Sequence, residues 1–263
     1  MITPEQWHRV TRANPCPVCK KPDWCTYNTQ VACCMRVTSS KPAKNGGYIH
    51  PLDSRHTNFK MPSKTRKTAE IDAPSLVAHF ASETAPERLC RLALSLGVHR
   101  DALAALGAAW APEHAAWAFP MRDGQGSIIG IRLRDDTGRK WAVRGSRSGI
   151  FVPTVPPQDV AYVTEGPTDT AAALTLGFYA LGRPSCSQGG REIRATCQRL
   201  GIYRVVVVAD NDGPGYDGAC KVAKEIGLKH RVWAPPAKDL REHMLAGVTR
   251  RDVENLVDQQ LWM

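Results

Sequence analysis

Two stretches decide the fold of this chain: VTEGPTDT at residues 163–170 and VVVVADNDGPG at residues 205–215. The four successive valines of the second stretch are typical of a central parallel strand that is buried on both faces. Around these stretches, short apolar runs alternate with segments of helical periodicity from residue 156 to about residue 246. The alternation predicts an α/β domain with a Rossmann-like parallel sheet covered by helices, and residues 247–263 add a C-terminal helix.

Acidic residues follow both of these strands directly. Glu165 follows the first strand, and Asp210 and Asp212 follow the valine strand. Because sites in open parallel sheets form beyond the carboxyl ends of the strands, these carboxylates converge if the two strands are neighbours. Carboxylates that close repel one another unless a cation neutralises them, and hard oxygen ligands suit Mg²⁺ or Mn²⁺. Asp239, after the last strand, would complete such a site.

Three other interpretations apply to residues 210–218. An EF-hand loop fails because Pro214 and Lys221 occupy its fifth and twelfth positions. The glycines also spell G-x-G-x-x-G after a strand, but Pro214 removes an amide donor, and two acids would face a pyrophosphate without a metal. A capped turn with solvated acids explains Asp210 or Asp212 singly, and it leaves Glu165 at the matching strand end unexplained.

Residues 73–155 predict a mixed α+β region. Helical spacing covers residues 74–80, 86–96 and 101–106, with Asp101 as the cap of the third helix. Residues 117–145 then indicate a strand meander with turns at 123–126 and 135–138.

The meander is strongly basic. Arg132 and Arg134 stand at positions i and i+2 and so share one face of a strand. A cationic wall beside a metal site is what triphosphate binding requires, while the alternative is a solvated strand face. Trp141 would either stack on a base or belong to the core. The further basic candidates are Arg139, Lys140, Arg144 and Arg147.

Five of the nine cysteines lie between Cys16 and Cys34, which favours a metal site over a disulfide framework. Cys16-Pro-Val-Cys19 is a tight knuckle that presents two thiolates to one Zn²⁺ ion. Two paired strands would bring Cys25 and Cys34 opposite the knuckle, giving the preferred set Cys16, Cys19, Cys25 and Cys34. The ligand set stays open at this point, with His50 or Cys33 as the first substitutes and His56 as a further candidate.

Composition and charge limit which partners and which cellular location the protein can have. Hydrophobic residues make up 43% of the chain, and the formal net charge of +10 suggests a polyanionic partner such as nucleic acid. Residues 53–72 are polar and basic, which predicts a linker between a ribbon at 1–52 and the region that starts at 73. No secretion signal or membrane-spanning run is evident, so a cytoplasmic location is expected.

The acidic motifs, in their order and spacing, resemble the Toprim domain, which primases share with topoisomerases, with OLD-family nucleases and with RecR-type recombination proteins. The residues that carry the resemblance are Glu165-Gly-Pro-Thr-Asp169, Asp210-Asn-Asp212-Gly-Pro-Gly215 and Lys238-Asp239. It implies that Glu165, Asp210 and Asp212 hold the metal, with Asp169 and Asp239 supporting it or holding a second ion. The segment from Phe119 to Arg134 looks like the primase subdomain that precedes Toprim, and the cysteine module is similar to the primase zinc ribbon, although its second cysteine pair departs from the family spacing.

The order of these modules resembles DnaG-type primases and the primase half of phage primase-helicases. The resemblance implies a nucleotidyltransferase that makes RNA primers on a single-stranded DNA template from NTPs, with catalytic Mg²⁺ or Mn²⁺, structural Zn²⁺ and Lys140 among the catalytic residues. No G-x-x-x-x-G-K-[ST] motif is present, so a replicative helicase would act in trans, in a bacterial or phage-infected cell. The alternatives are a Toprim nuclease and a catalytically inactive zinc-ribbon adaptor that binds DNA.

Overall fold

A computed structural model of the chain describes residues 7–28, 30–43, 46–52 and 70–263. The chain divides into two units, Met1–Lys67 and Thr68–Met263. Most of the predicted linker and the candidate ligand His56 lie outside the described residues. The domain boundaries predicted within the second unit, at residues 155 and 246, stay predictions.

The first unit is a small antiparallel sheet of four strands in the order β1-β2-β3-β4. Its core is narrow and consists largely of cysteine, with Val10, Tyr27 and Ala32 buried beside the thiols. A core this small cannot stabilise a fold by apolar burial alone. The strands are β1 (His8–Arg9), β2 (Thr26–Tyr27), β3 (Val31–Cys34) and β4 (Tyr48–Pro51).

Three helices open the second unit: α1 (Ala73–Ser82), α2 (Pro86–Leu96) and α3 (Arg100–Ala105). The Asp72 side chain caps α1 by accepting a hydrogen bond from the Ser75 amide at 3.2 Å. The prediction that Asp101 caps α3 is wrong, because the helix begins one residue earlier and Asp101 lies in its first turn. There its carboxylate still complements the helix dipole.

The meander folds as predicted into an antiparallel sheet, with one additional strand before it. The order is β5-β6-β7-β8. The carboxylates of Asp123 and Asp135 hold the two turns by accepting backbone amides two and four residues further on. The edge strand that was not predicted has the sequence Ala-Trp-Ala. The strands are β5 (Ala109–Ala111), β6 (Ala116–Arg122), β7 (Ile128–Arg134) and β8 (Lys140–Ala142).

The remaining elements form the predicted α/β layer, a parallel sheet in the order β10-β9-β11-β12. Val205 and Val207 of the valine run are buried in one core, and Val206 and Val208 are buried in the core on the opposite face. Burial on both faces explains why the run has no polar alternation. The elements are β9 (Val160–Glu165), α4 (Gly166–Thr175), β10 (Tyr179–Arg183), α5 (Gly190–Leu200), β11 (Arg204–Val208), α6 (Gly213–Ile226), β12 (Lys229–Trp233), α7 (Leu240–Leu245) and α8 (Arg250–Asp258).

The last helix is shorter than predicted. A capping box between Thr249 and Asp252 starts α8, and the helix ends at Asp258 instead of continuing to Trp262. The following residues are extended, and Met263 exchanges two backbone hydrogen bonds with His230 of β12, at 2.9 and 3.0 Å. Pairing with the sheet edge satisfies backbone groups that a longer helix would have satisfied internally. Within the described ranges, no helix has the length and apolar character needed to cross a bilayer.

The two sheets of the second unit meet at Gly182, where the backbones of Phe151 and Gly182 form an isolated bridge. A side chain at this position would have no room, since a Cβ would lie 2.3 Å from Thr170 Oγ1 and 2.8 Å from Phe151 Cδ2. We expect Gly182→Ala to lower the free energy of unfolding by about 1–3 kcal/mol through overpacking. Urea denaturation followed by circular dichroism measures the change.

Gly213→Ala is the matched control, because a Cβ there meets nothing within 4 Å. It should change the free energy of unfolding by less than about 0.5 kcal/mol. Equal effects of the two substitutions would contradict close packing at Gly182.

Candidate functional site

The carboxyl ends of β9 and β11 carry the acidic residues. Glu165 is the last residue of β9, and Asp210 follows β11 after one further residue. The two strands are direct neighbours, with Val163 opposite Val207. The condition set by the sequence is therefore met, and both carboxylates stand at the same edge of the sheet.

Mutual repulsion shows that the other acids share this edge. Burial, followed by the charge of Asp210, raises the pKa of Glu165. Burial, followed by the charge of Asp239, raises the pKa of Asp210 and also that of Asp169, the latter to about 7. The negative charge of Asp212 also raises the pKa of Glu165 and of Asp210. All five predicted acidic residues thus act on one another electrostatically.

The spacing of these acids suits a hydrated cation. In the part of the chain that the structure describes, no three carboxylates have oxygens all within 4.8 Å of one another. Mg²⁺ keeps several waters and takes few protein ligands, so widely spaced carboxylates fit it better than a tight cage would.

Two of the acids also hold backbone turns. Asp212 caps α6 by accepting the Gly215 amide at 2.6 Å, and Asp239 caps α7 by accepting the Glu242 amide at 2.8 Å. The capped-turn interpretation therefore applies to Asp212 and Asp239. It accounts for neither Glu165 nor Asp210.

Lys140 of β8 brings the basic sheet to this edge. It is exposed, and its charge lowers the pKa of Glu165, Asp169 and Asp210 against the larger effect of burial. Its Nζ lies 4.0 Å from the point where a Cβ on Gly166 would stand. Gly166 has φ +75°, a conformation that side chains disfavour, so glycine allows the turn from β9 directly into α4.

Arg183 is a residue that the sequence interpretation missed. It ends β10 fully buried, and it donates hydrogen bonds to the carbonyl groups of Val208, at 2.8 Å, and Cys186. Its charge lowers the pKa of both Glu165 and Asp210. A charged residue closing an otherwise apolar strand, in Leu-Gly-Arg-Pro, was the available signal.

The predicted arginines divide into two groups. Arg132 and Arg134 are partly buried near the acidic edge: Arg132 donates to the Pro184 carbonyl at 3.3 Å, and Arg134 is close enough to Asp169 for their charges to interact. Burial lowers the pKa of both. The others are exposed elsewhere on the meander. Arg139 lies 5.2 Å from the Trp141 ring, Arg147 pairs with Glu70 at 3.2 Å, and Arg144 is exposed.

The second candidate site is the cysteine cluster of the first unit. The sulfurs of Cys16, Cys19, Cys25 and Cys34 all lie within 4.8 Å of one another. The amide of Val37 points at Cys34 Sγ at 3.3 Å, and the amide of Met35 points at Cys25 Sγ at 3.4 Å. Four clustered sulfurs, two of which accept these amide hydrogen bonds, fit a tetrahedral Zn²⁺ site.

The alternative ligands lie outside this cluster. Cys33 pairs across the strands with Thr26, so its side chain alternates with that of Cys34. The His50 Nε2 atom is 2.9 Å from the Val37 carbonyl oxygen. Burial raises the pKa of Cys25 to about 12, and metal binding would require its deprotonation.

Comparisons with known proteins were made for sequence and for structure. No family model matches the chain, and no curated protein matches it. Several solved structures match the fold of the chain. The catalytic domain of DnaG primase bound to single-stranded DNA aligns with 72% of this chain and 78% of its own, at 16% identity and a TM-score of 0.57.

Two further structures also match, one of which contains a zinc-binding domain and the other of which aligns over nearly the whole chain. The zinc-binding and RNA polymerase domains of Aquifex aeolicus primase align over 73% of this chain and 60% of that protein, at 14% identity and a TM-score of 0.58. The primase fragment of the bacteriophage T7 primase-helicase aligns over 96% of this chain and 100% of its own, at 16% identity and a TM-score of 0.52. The predicted fold class is confirmed, and the chain has the fold of DnaG-type primases.

Proposed function

We propose that the chain is a DNA primase, a DNA-directed RNA polymerase that synthesises short RNA primers on single-stranded DNA. The observation that carries the proposal is the gathering of Glu165, Asp210 and Lys140 at one sheet edge. It is supported by the fold that the chain has in common with DnaG-type and phage T7 primases.

In this proposal, Glu165, Asp210 and Asp212 hold Mg²⁺ or Mn²⁺, and Asp169 and Asp239 support them or hold a second ion. When bound, the ion neutralises triphosphate charge and lowers the pKa of the attacking hydroxyl group. The exposed ammonium group of Lys140 neutralises phosphate oxygens next to the carboxylates. The 3′-hydroxyl of the growing primer attacks the α-phosphate of the NTP in line, and pyrophosphate leaves.

The proposed template surface is the basic meander. One neighbour in fold is a DnaG catalytic domain bound to single-stranded DNA. In this chain Arg132 and Arg134 lie near the acidic edge, where they would position phosphate groups. The exposed Arg139, Arg144 and Arg147 would extend the contact to more of the strand.

The proposed ligands of Zn²⁺ are the four clustered cysteines, and the ion would be structural. The first unit has little apolar core, so metal binding would supply much of its folding free energy. We further propose that this module contacts template DNA, that a helicase acts in trans, and that the protein works in a bacterial or phage-infected cell.

Arg183 would keep the acidic edge ready for the metal. A buried cation that lowers the pKa of Glu165 and Asp210 favours their ionised form, which is the form that binds metal. Lys140 has the same effect from the exposed side. In this proposal the acidic edge combines the positive charges of Arg183 and Lys140 with the carboxylates that would attract a metal cation.

We expect Asp210→Asn to reduce primer synthesis by about 10²–10³-fold, the range found when one electrostatic stabiliser of a transition state is removed. Binding of single-stranded DNA should persist, because the basic residues are unchanged. The assay incubates the protein with single-stranded DNA, labelled NTPs and Mn²⁺. Asp217→Asn, an exposed position on the adjacent α6, is the matched control and should be fully active.

The same assay separates the proposal from its rivals. Cleaved DNA without primers would identify a nuclease, and bound but unaltered DNA would identify an inactive adaptor. Undiminished primer synthesis by Asp210→Asn would refute the assigned role of the acidic edge.

We expect Arg183→Met to destabilise the metal-free protein by about 3 kcal/mol at pH 8 and by clearly less at pH 5. The carboxyl groups of Glu165 and Asp210 have a higher pKa in the folded protein than in the unfolded chain, where it is near 4. The free energy of unfolding therefore falls as the pH rises from the unfolded pKa through the folded pKa. Removing the arginine raises the folded pKa values further, so the ionised forms of Glu165 and Asp210 cost more at high pH, and protonation at lower pH relieves that cost.

Denaturant unfolding of the variant and the unaltered protein at both pH values tests this expectation. Arg183→Lys keeps the charge and loses part of the hydrogen bonding, so it should be destabilised to a similar extent at both pH values. A loss for Arg183→Met that is equal at pH 5 and pH 8 would show that Arg183 acts through hydrogen bonds alone.

We expect the purified protein to contain about one zinc ion per chain, as for a single four-cysteine site. Cys34→Ser should lose most of that zinc, because a hydroxyl group is a much poorer ligand than a thiolate. Cys33→Ser removes the adjacent thiol outside the cluster and should keep it. Elemental analysis after dialysis measures the content, and zinc loss in Cys33→Ser but not in Cys34→Ser would overturn the ligand set.

A further inference from the structure

The end of the parallel sheet opposite the acidic edge contains a cavity of about 620 Å³. It lies where β9 and β11 begin, so a strand length of roughly 15–20 Å separates it from Glu165 and Asp210. Helix α8 borders it on one side. The residues that matter for its chemistry are Tyr162, Phe178, Arg204, Arg231, Arg250 and Trp262.

Three arginines and three acids line the cavity, and Lys229 adds a further cation beside it. Arg204 and Lys229 stand directly opposite each other on the neighbouring strands β11 and β12. Like charges in that position destabilise a sheet. Arg231 follows two residues after Lys229 and points to the same face. The anion nearest Arg204 is Asp159, 3.9 Å away with a side chain that is 95% exposed, so it compensates little of this charge.

An aromatic ring lies among these cations. The Trp262 ring centre is 4.3 Å from the guanidinium of Arg231, 5.9 Å from that of Arg204 and 6.0 Å from the Lys229 ammonium. Arg231 Nε is buried without a hydrogen-bond partner. The ring thus faces cations whose hydrogen-bonding capacity is only partly used.

The cavity has an apolar floor and a rim of paired acids and arginines. Tyr162 and Phe178 stack with ring centres 4.0 Å apart and, with valine side chains, form an apolar floor. At the rim Asp258 pairs with Arg231, and Glu254 with Arg250 at 2.8 Å. Arg204 and Lys229 are therefore the cations most available to a ligand, and the rim acids limit how much negative charge the site accepts.

We propose that this cavity binds a nucleotide, with the base against the aromatic surface and the phosphates at Arg204 and Lys229. A volume of this size is within the range of small-molecule sites, about 300–1,000 Å³. Planar rings beside cations recognise both parts of such a ligand. An extended acidic peptide fits less well, because Met263 already occupies the backbone edge of β12 beside the cavity.

The test is photolabelling of the full chain with 8-azido-ATP, followed by peptide mapping. The chain carries Asp210→Asn and the buffer contains no divalent cation, so that labelling at the acidic edge is suppressed and any remainder is identified by its peptides. Because Tyr162 and Glu165 share a peptide, the labelled residue itself is identified by fragmentation, and we expect label on Trp262 or Tyr162. The result is independent of primer synthesis, so this proposal and the proposed function can fail separately.

Arg204→Glu with Lys229→Glu should reduce this labelling about tenfold or more, because charge-assisted contacts to phosphate become repulsions. Arg194→Glu with Lys221→Glu makes the same change in net charge on α5 and α6, which pack on the other face of the sheet. That control should label normally. Equal labelling of both double variants, or label confined to Glu165, Asp169, Asp210 and their immediate neighbours, would overturn the proposal.

Competition identifies the ligand class. Unlabelled ATP should displace the label, and adenosine should displace it at least about tenfold less well, since it lacks the phosphates. Competition by adenosine equal to that by ATP would refute the phosphate contacts. Stronger competition by a polyglutamate peptide or by oligothymidylate would assign the cavity to a protein or nucleic-acid partner and would overturn the nucleotide proposal.

Discussion

Repulsion among carboxylates at the carboxyl edge of the parallel sheet is the constraint on which the candidate site depends. Pairing of β9 with β11 forces Glu165 and Asp210 together, and burial makes their charges costly. The protein offsets part of this cost with Arg183 below and Lys140 beside the edge. The remaining cost is what a divalent cation would relieve in the proposed chemistry.

The two candidate metal sites are built by different physical means. The cysteine cluster is local, because four ligands within 19 residues meet across one knuckle and one pair of short strands. The acidic edge collects residues from segments far apart in sequence, and it forms only when the whole sheet is assembled. Unfolding of the first unit would therefore follow loss of zinc, whereas the described part of the second unit has four apolar core clusters that need no metal.

The second unit uses opposite ends of one sheet differently. At the carboxyl end, acids approach one another beside a few cations. At the amino end, Arg204 and Lys229 face each other beside an aromatic ring. Both ends therefore carry like charges that the fold brings together.

The sequence by itself determined the α/β class, the position of most helices and strands, and the candidate acidic and cysteine residues, because periodicity and strand-end position are local properties. It did not reveal strand order, the buried Arg183, the early end of α8 or the cavity at Trp262. Those depend on contacts between residues far apart in the chain, and only the tertiary structure decides them. The charges of Glu165 and Asp210, at the ends of two other strands, for example, offset part of the cost of burying Arg183.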